Sequence, residues 1–189
     1  MSLKDLVDNS RTDKDTVHSY LNLYDQLLSD KKLTAKNILE IGIHYGGSIK
    51  LWSDYFVNAT IYAIDLMDIR DVWKELINKD NIILYTSTDA YDETYFNYLL
   101  LEKNIKFDFI LDDGPHTLES MKTFINLYSQ LLTDDGILII EDVQSYDWLE
   151  GLKMETPDNL KQYIKTYDLR ENKNRYDDIV FTINKSIKN

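Results

Sequence analysis

Cysteine does not occur in the 189-residue chain, which removes disulfide scaffolds, thiolate zinc sites and cysteine nucleophiles from consideration. Proline occurs twice and glycine six times, and no internal repeat or low-complexity tract is present. Positive charge is scarce as well: 21 Lys and Arg face 33 Asp and Glu, a formal net charge of −12. That balance opposes broad attraction to phosphate backbones or anionic membranes, so neither nucleic acid nor a membrane is an expected partner. Long apolar runs are missing too. The stretch Ile137 to Ile140 is strand-sized, far short of the ~20 residues that span a bilayer. The opening MSLKDLVDNS has no apolar signal core, so the expected location is the cytoplasm.

What the chain does contain is 43% hydrophobic and 12% aromatic residues, the composition of a folded globular domain. At roughly 150 residues per domain the length allows little more than one. Apolar segments of strand length alternate with segments of helical period, which predicts a three-layer α/β domain with a mostly parallel sheet. Five strands are predicted at 37–43, 60–66, 81–87, 107–113 and 137–142, the last opened by a turn at Asp134-Asp135-Gly136. Helices are predicted near 48–57, 91–103 and 148–159. The clearest one carries Leu118, Met121, Phe124, Ile125, Tyr128, Leu131 and Leu132 at intervals of three and four, with Thr117 as its cap and Glu119 in its first turn. Two further strand-like stretches, 163–169 and 178–184, are joined by a polar linker at 170–175 and predict a C-terminal antiparallel hairpin. Seven strands result. Residues 1–32 are expected to form a helical arm, with an amphipathic helix at 13–29, and 33–189 the main domain. The arm is expected either to close over the site or to pack on the sheet.

Ligands of such sheets bind beyond the carboxyl ends of the strands, so the residues where strands stop carry the information. Strand one ends in E-x-G-x-x-x-G-G, with Glu40, Gly42, Gly46 and Gly47. Asp65 ends strand two, where a carboxylate suits the hydroxyls of a ribose, and Asp89 follows strand three, where it suits the amine of adenine. Each has a plainer reading: any tight turn uses glycine, Asp65 solvates a strand end, and Asp89 caps a helix near Thr94. Their joint placement favours a nucleoside pocket. His44 stands where the dinucleotide fingerprint G-x-G-x-x-G needs its second glycine, which argues against NAD.

The sharper cluster is Asp112-Asp113-Gly114-Pro115-His116 at the end of strand four, beside Glu141-Asp142 at the end of strand five. Adjacent parallel strands lie ~4.8 Å apart, so these carboxylates converge on one point. Converging hard oxygens invite Mg²⁺ or a similar divalent cation. His116 then lies near enough to take a proton, its plainer reading being a cap for the helix after Thr117.

Together ILEIGIHYGGSIKLW, AIDL, FDFILDDGPH and ILIIEDV resemble the class I S-adenosylmethionine-dependent methyltransferases, and within them the metal-dependent sugar O-methyltransferases of the macrocin and mycinose type. Thr12-Asp13-Lys14 with His18 and Tyr20, Asp168-Leu169-Arg170, and Arg175 to Asp178 extend the likeness. The resemblance implies a Rossmann-like class I methyltransferase fold, with S-adenosylmethionine bound by Glu40, Gly42, Gly46, Asp65, Asp89 and Asp112. It further implies Mg²⁺ held by Asp113, Glu141 and Asp142, and His116 as the general base that deprotonates a hydroxyl of a sugar or glycan. Pro115 replaces the serine common at its position in the family. A catechol-type methyltransferase and a non-catalytic nucleoside-binding module are the alternatives. A homo-oligomer is compatible with this reading.

Overall fold

A computed structural model describes residues 1–186 of the chain. The short helix α1 (Leu3–Leu6) and the helix α2 (Tyr20–Leu28) precede strand β1 (Asn37–Ile41), helix α3 (Gly47–Tyr55) and strand β2 (Thr60–Ile64). The short helix α4 (Lys74–Ile77) leads to β3 (Ile82–Tyr85), and α5 (Glu93–Phe96), which runs on as a π turn through Leu101, leads to β4 (Phe107–Asp112). Helix α6 (Leu118–Tyr128), β5 (Leu132–Ile140), α7 (Trp148–Glu155), β6 (Ile164–Asp168), α8 (Arg170–Lys173) and β7 (Ile179–Asn184) complete it.

The seven strands form one sheet in the order β3-β2-β1-β4-β5-β7-β6. The β1–β2, β1–β4, β2–β3 and β4–β5 pairs are parallel, and β7 runs antiparallel to both β5 and β6. Central strands are buried on both faces, which is why they read as unbroken apolar runs: β1 is NILEI with four of its five residues buried. The edge strands β3 and β6 have no fully buried residue. The chain leaves β1 toward β2 and β3 on one side and returns to β4 on the other, so the crevice of the sheet opens beyond the carboxyl ends of β1 and β4.

Each face carries its own core. Trp52, Tyr55 and Phe56 from the α3 region pack with Phe109, Leu111 and the arm residues Leu3, Tyr20, Leu21, Tyr24 and Leu28. On the other face Met121, Phe124, Ile125 and Tyr128 of α6 meet Phe107, Ile110, Leu138 and Ile140. Helix α6 begins as the sequence predicts: Thr117 accepts from the Ser120 amide and Ser120 Oγ accepts from the Thr117 amide.

Two expectations are corrected. The helix predicted over 13–29 forms only from Tyr20, because 13–19 is wound into turns in which the Asp13 carbonyl accepts from the amides of Thr16, Val17 and His18. This winding carries Lys14 and His18 inward to the strand ends, and a straight amphipathic helix would leave them on its polar side. The turn predicted at Asp134-Asp135-Gly136 is a bulge inside β5: Leu132 pairs with Phe107 and Ile137 with Phe109, so the intervening residues are extruded from the ladder. The C-terminal hairpin forms as expected, its linker folding into α8 and closing with Asn174 at φ 55°.

Candidate active site

A cavity of about 830 Å³ opens at the carboxyl edge of the sheet. Asp65 and Asp89, after β2 and β3, line one side of it, Asp113, His116 and Asp142, after β4 and β5, the other, with Gly42 of the central β1 between them. The backbone here is unusual. His44, Ser87, His116 and Asp142 have φ between 44° and 55° although none is glycine, and each follows the end of a strand. Such conformations cost of order 1–3 kcal/mol each and persist where surrounding contacts enforce them.

The glycine loop is shaped by sterics and by one carboxylate. Gly42 has φ 100°, and a Cβ there would stand 2.3 Å from the Asp113 carbonyl, so only glycine lets β1 end against β4 in this way. Asp65 Oδ2 accepts from the Ile43 amide at 2.6 Å and the His44 amide at 3.4 Å, while Oδ1 accepts from the Met67 amide at 2.9 Å. Asp65 therefore clamps the loop as well as facing the cavity. Gly46, at φ 78°, caps the start of α3 and lies against Leu76, outside the cavity lining. Asp89 lines the cavity and accepts from the Tyr91 amide, whereas the helix cap at Thr94 comes from Asp92.

Two of the acids assigned to the cofactor stand behind the cavity wall. Glu40 is fully buried and accepts from Ser48 Oγ at 2.7 Å and Trp52 Nε1 at 2.5 Å, with Lys14 Nζ 3.9 Å away. Burial pushes its carboxyl up to about 7. Asp112 is 3% exposed and accepts from the Tyr91 hydroxyl at 2.5 Å; burial raises it too to about 7. Tyr91, its hydrogen-bond partner, does line the cavity.

On the other side, His116 Nε2 lies 3.7 Å from Asp113 Oδ1 and 3.6 Å from Asp142 Oδ2. These three side chains place one ligand atom each within 4.8 Å of one another; the two carboxylates supply hard oxygens that fit a divalent cation, and the imidazole stands beside them. Thr117, not His116, caps α6. The structure does not bring Glu141 to this cluster: its carboxylate is turned inward, bonded to the Lys14 ammonium and to the Tyr24 hydroxyl.

The arm residues that extended the likeness, Lys14, His18 and Tyr20, were given no role by the sequence reading, and the structure brings them to the strand ends. Lys14 Nζ donates to Asp113 Oδ2 at 2.8 Å as well as to Glu141. Burial works against its charge, and the carboxylates of Asp113, Glu141 and Glu40 outweigh burial, so it stays an ammonium. The Tyr20 hydroxyl donates to Asp142 Oδ1, and His18 Nδ1 meets Asp178 Oδ1 at 2.6 Å. Burial and the surrounding acids raise Tyr20 and Tyr24 far above ordinary phenols and keep them neutral donors. Tyr20 and Tyr24 fall within the amphipathic helix predicted at 13–29, and tyrosine rather than leucine or phenylalanine at two buried helical positions was the available signal. Among the described residues no helix is long and apolar enough to cross a membrane.

Comparison with known proteins points the same way. L-olivosyl-oleandolide 3-O-methyltransferase of Streptomyces antibioticus is 29% identical over 139 residues, 70% of this chain and 34% of that protein. Mycinamicin VI 2''-O-methyltransferase of Micromonospora griseorubida is 24% identical over 139 residues, 70% of this chain and 33% of that protein. The chain thus spans about a third of the length of the curated relatives it matches. In fold it resembles the MycE methyltransferase of the mycinamycin pathway, solved with Mg, S-adenosylhomocysteine (SAH) and mycinamycin VI: TM-score 0.75, 20% identity, 97% of this chain and 53% of that one. A putative caffeoyl-CoA O-methyltransferase from Staphylococcus aureus shares the fold at TM-score 0.60 and 20% identity, over 88% of this chain and 83% of that one. Residues 39–143, from β1 through the acids that end β5, match the family model described as a methyltransferase domain. With that match running through the glycine loop, Asp65, Asp89 and the Asp113–His116–Asp142 cluster, the chain belongs to the methyltransferase domain family.

Proposed function

We propose that the protein transfers a methyl group from S-adenosylmethionine to a hydroxyl of a sugar or glycan, with a divalent cation such as Mg²⁺ at the ends of β4 and β5. The observation that carries this reading is the convergence of Asp113, His116 and Asp142 in a cavity that Gly42, Asp65 and Asp89 also line. The named relatives that act on glycosylated macrolides, and the structural neighbour holding Mg and SAH, support it.

The sulfonium of the cofactor is already an excellent leaving group, so the protein's task lies with the acceptor alcohol. A divalent cation, when bound, supplies the Lewis acidity that makes an alcohol proton easier to remove. Asp113 and Asp142 offer oxygens to hold it, while Glu141, paired with Lys14, stays outside this cluster. His116 Nε2 receives the proton. An imidazole of reference pKa near 6.5 is too weak a base for an unactivated sugar hydroxyl, which is why base and cation belong together. Asp65 takes the ribose hydroxyls, Asp89 the adenine amine, and the Tyr91 hydroxyl, backed by Asp112, borders the same pocket.

A methyl-transfer screen over free sugars, nucleotide sugars and glycans, run with Mg²⁺ and with excess chelator, tests the proposal. Transfer to a sugar that stops on chelation while SAH binding persists is the expected result. Full turnover in chelator would remove the cation from the reaction.

A further inference from the structure

Asp142 sits just past the end of β5, at φ 55°, outside any helix or ladder that would orient its side chain. Its direction is set by side chains from elsewhere. Oδ1 accepts from the Tyr20 hydroxyl and lies 3.3 Å from His18 Nδ1, whereas Oδ2 faces His116 and the cavity. His18 is itself held. Its Nδ1 is 2.6 Å from Asp178 Oδ1, Asp178 is fully buried at the start of β7, and the other Asp178 oxygen accepts from Ser19 Oγ at 3.1 Å. On the remaining side Asp13 Oδ2 stands 3.8 Å from Nε2. Both oxygens that Nδ1 faces belong to carboxylates, which only accept, so Nδ1 carries a proton and points it between them.

We infer that His18, oriented by Asp178, is a positioning residue: it holds Asp142 so that Oδ1 is occupied from behind and Oδ2 alone is offered to the cation. The inference rests on the metal reading above and adds two residues to it, one from the arm and one from the C-terminal hairpin. An acid with both oxygens free samples several rotations and coordinates in more than one mode. Fixing one oxygen removes that freedom before the ion arrives, and groups placed behind a ligand in this way typically change metal affinity ~10–100-fold when removed. The wound segment 13–19 carries His18 to a residue 160 positions away in sequence.

The test is Mn²⁺ binding, followed by electron paramagnetic resonance and calorimetry on the full chain without acceptor, with thermal melting as the check that each variant is folded. The expected pattern is tight uptake by the wild type, loss in Asp142→Asn, and ~10-fold or greater weakening in His18→Ala and Asp178→Asn. In His18→Asn the amide N–H takes the place of Nδ1–H, so much of the affinity should return. This variant and Asp178→Asn also decide the matter if His18→Ala does not fold. Wild-type affinity in folded His18→Ala or Asp178→Asn, or a His18→Asn variant as weak as His18→Ala, would overturn the positioning role while leaving the metal site standing. Absence of Mn²⁺ uptake by the wild type, or unchanged uptake in Asp142→Asn, would instead overturn the metal reading and this inference with it.

Discussion

Lys14 and Asp113, 99 residues apart in sequence, form an ion pair with Nζ 2.8 Å from Oδ2, and the same ammonium reaches Glu141. One buried cation thereby bridges acids from two adjacent strands and ties the N-terminal arm to the carboxyl edge of the sheet. Lys14→Ala should destabilise the protein by about 3–5 kcal/mol, the usual consequence of leaving buried charge without its partner. Urea denaturation measures it. A loss below about 1 kcal/mol would mean that the acids take up protons or water instead.

Asp65 has two tasks, clamping the Ile43 and His44 amides and facing the cavity. Asp65→Ala should weaken SAH binding by about 1–3 kcal/mol, the scale of hydrogen bonds to a charged acceptor. Calorimetry showing unchanged affinity would take Asp65 out of the cofactor site.

For His116 the base assignment makes a kinetic prediction. His116→Gln keeps a polar group of similar reach that cannot accept a proton, and should methylate ~100-fold more slowly or worse. Thr117 provides the cap of α6, so the variant should melt close to the wild type. Near-normal single-turnover rates would transfer the base role to water or to another side chain.

Asp112 predicts a pH dependence of stability. Burial raises its folded carboxyl from 3.8 to about 7, so between those values the folded chain binds a proton that the unfolded chain has released. The stabilisation it provides is complete below the unfolded value and is lost as pH rises through about 7. Denaturation midpoints of Asp112→Asn, followed over this range and subtracted from those of the wild type, should show that decline; parallel curves would place the Asp112 proton elsewhere.

Much of this architecture follows from local pattern. Unbroken apolar runs such as NILEI and FDFILD specify buried parallel strands because both their faces are covered, and the three-and-four spacing from Leu118 to Tyr128 specifies a helix with one apolar side. Gly42, Asp65, Asp89, Asp113, His116 and Asp142 were visible because a parallel sheet gathers its strand ends at one edge, so position after a strand already implies proximity to the cavity. Side-chain direction has no such local rule. Glu40 and Glu141 stand at similar strand ends yet turn into the interior, because Trp52, Ser48, Tyr24 and Lys14 are there to receive them. Lys14, His18, Tyr20 and Asp178 meet the site only because the arm packs on one core face and the hairpin returns β7 beside β5. Those contacts span more than a hundred residues of sequence, and no periodicity within a single segment encodes them.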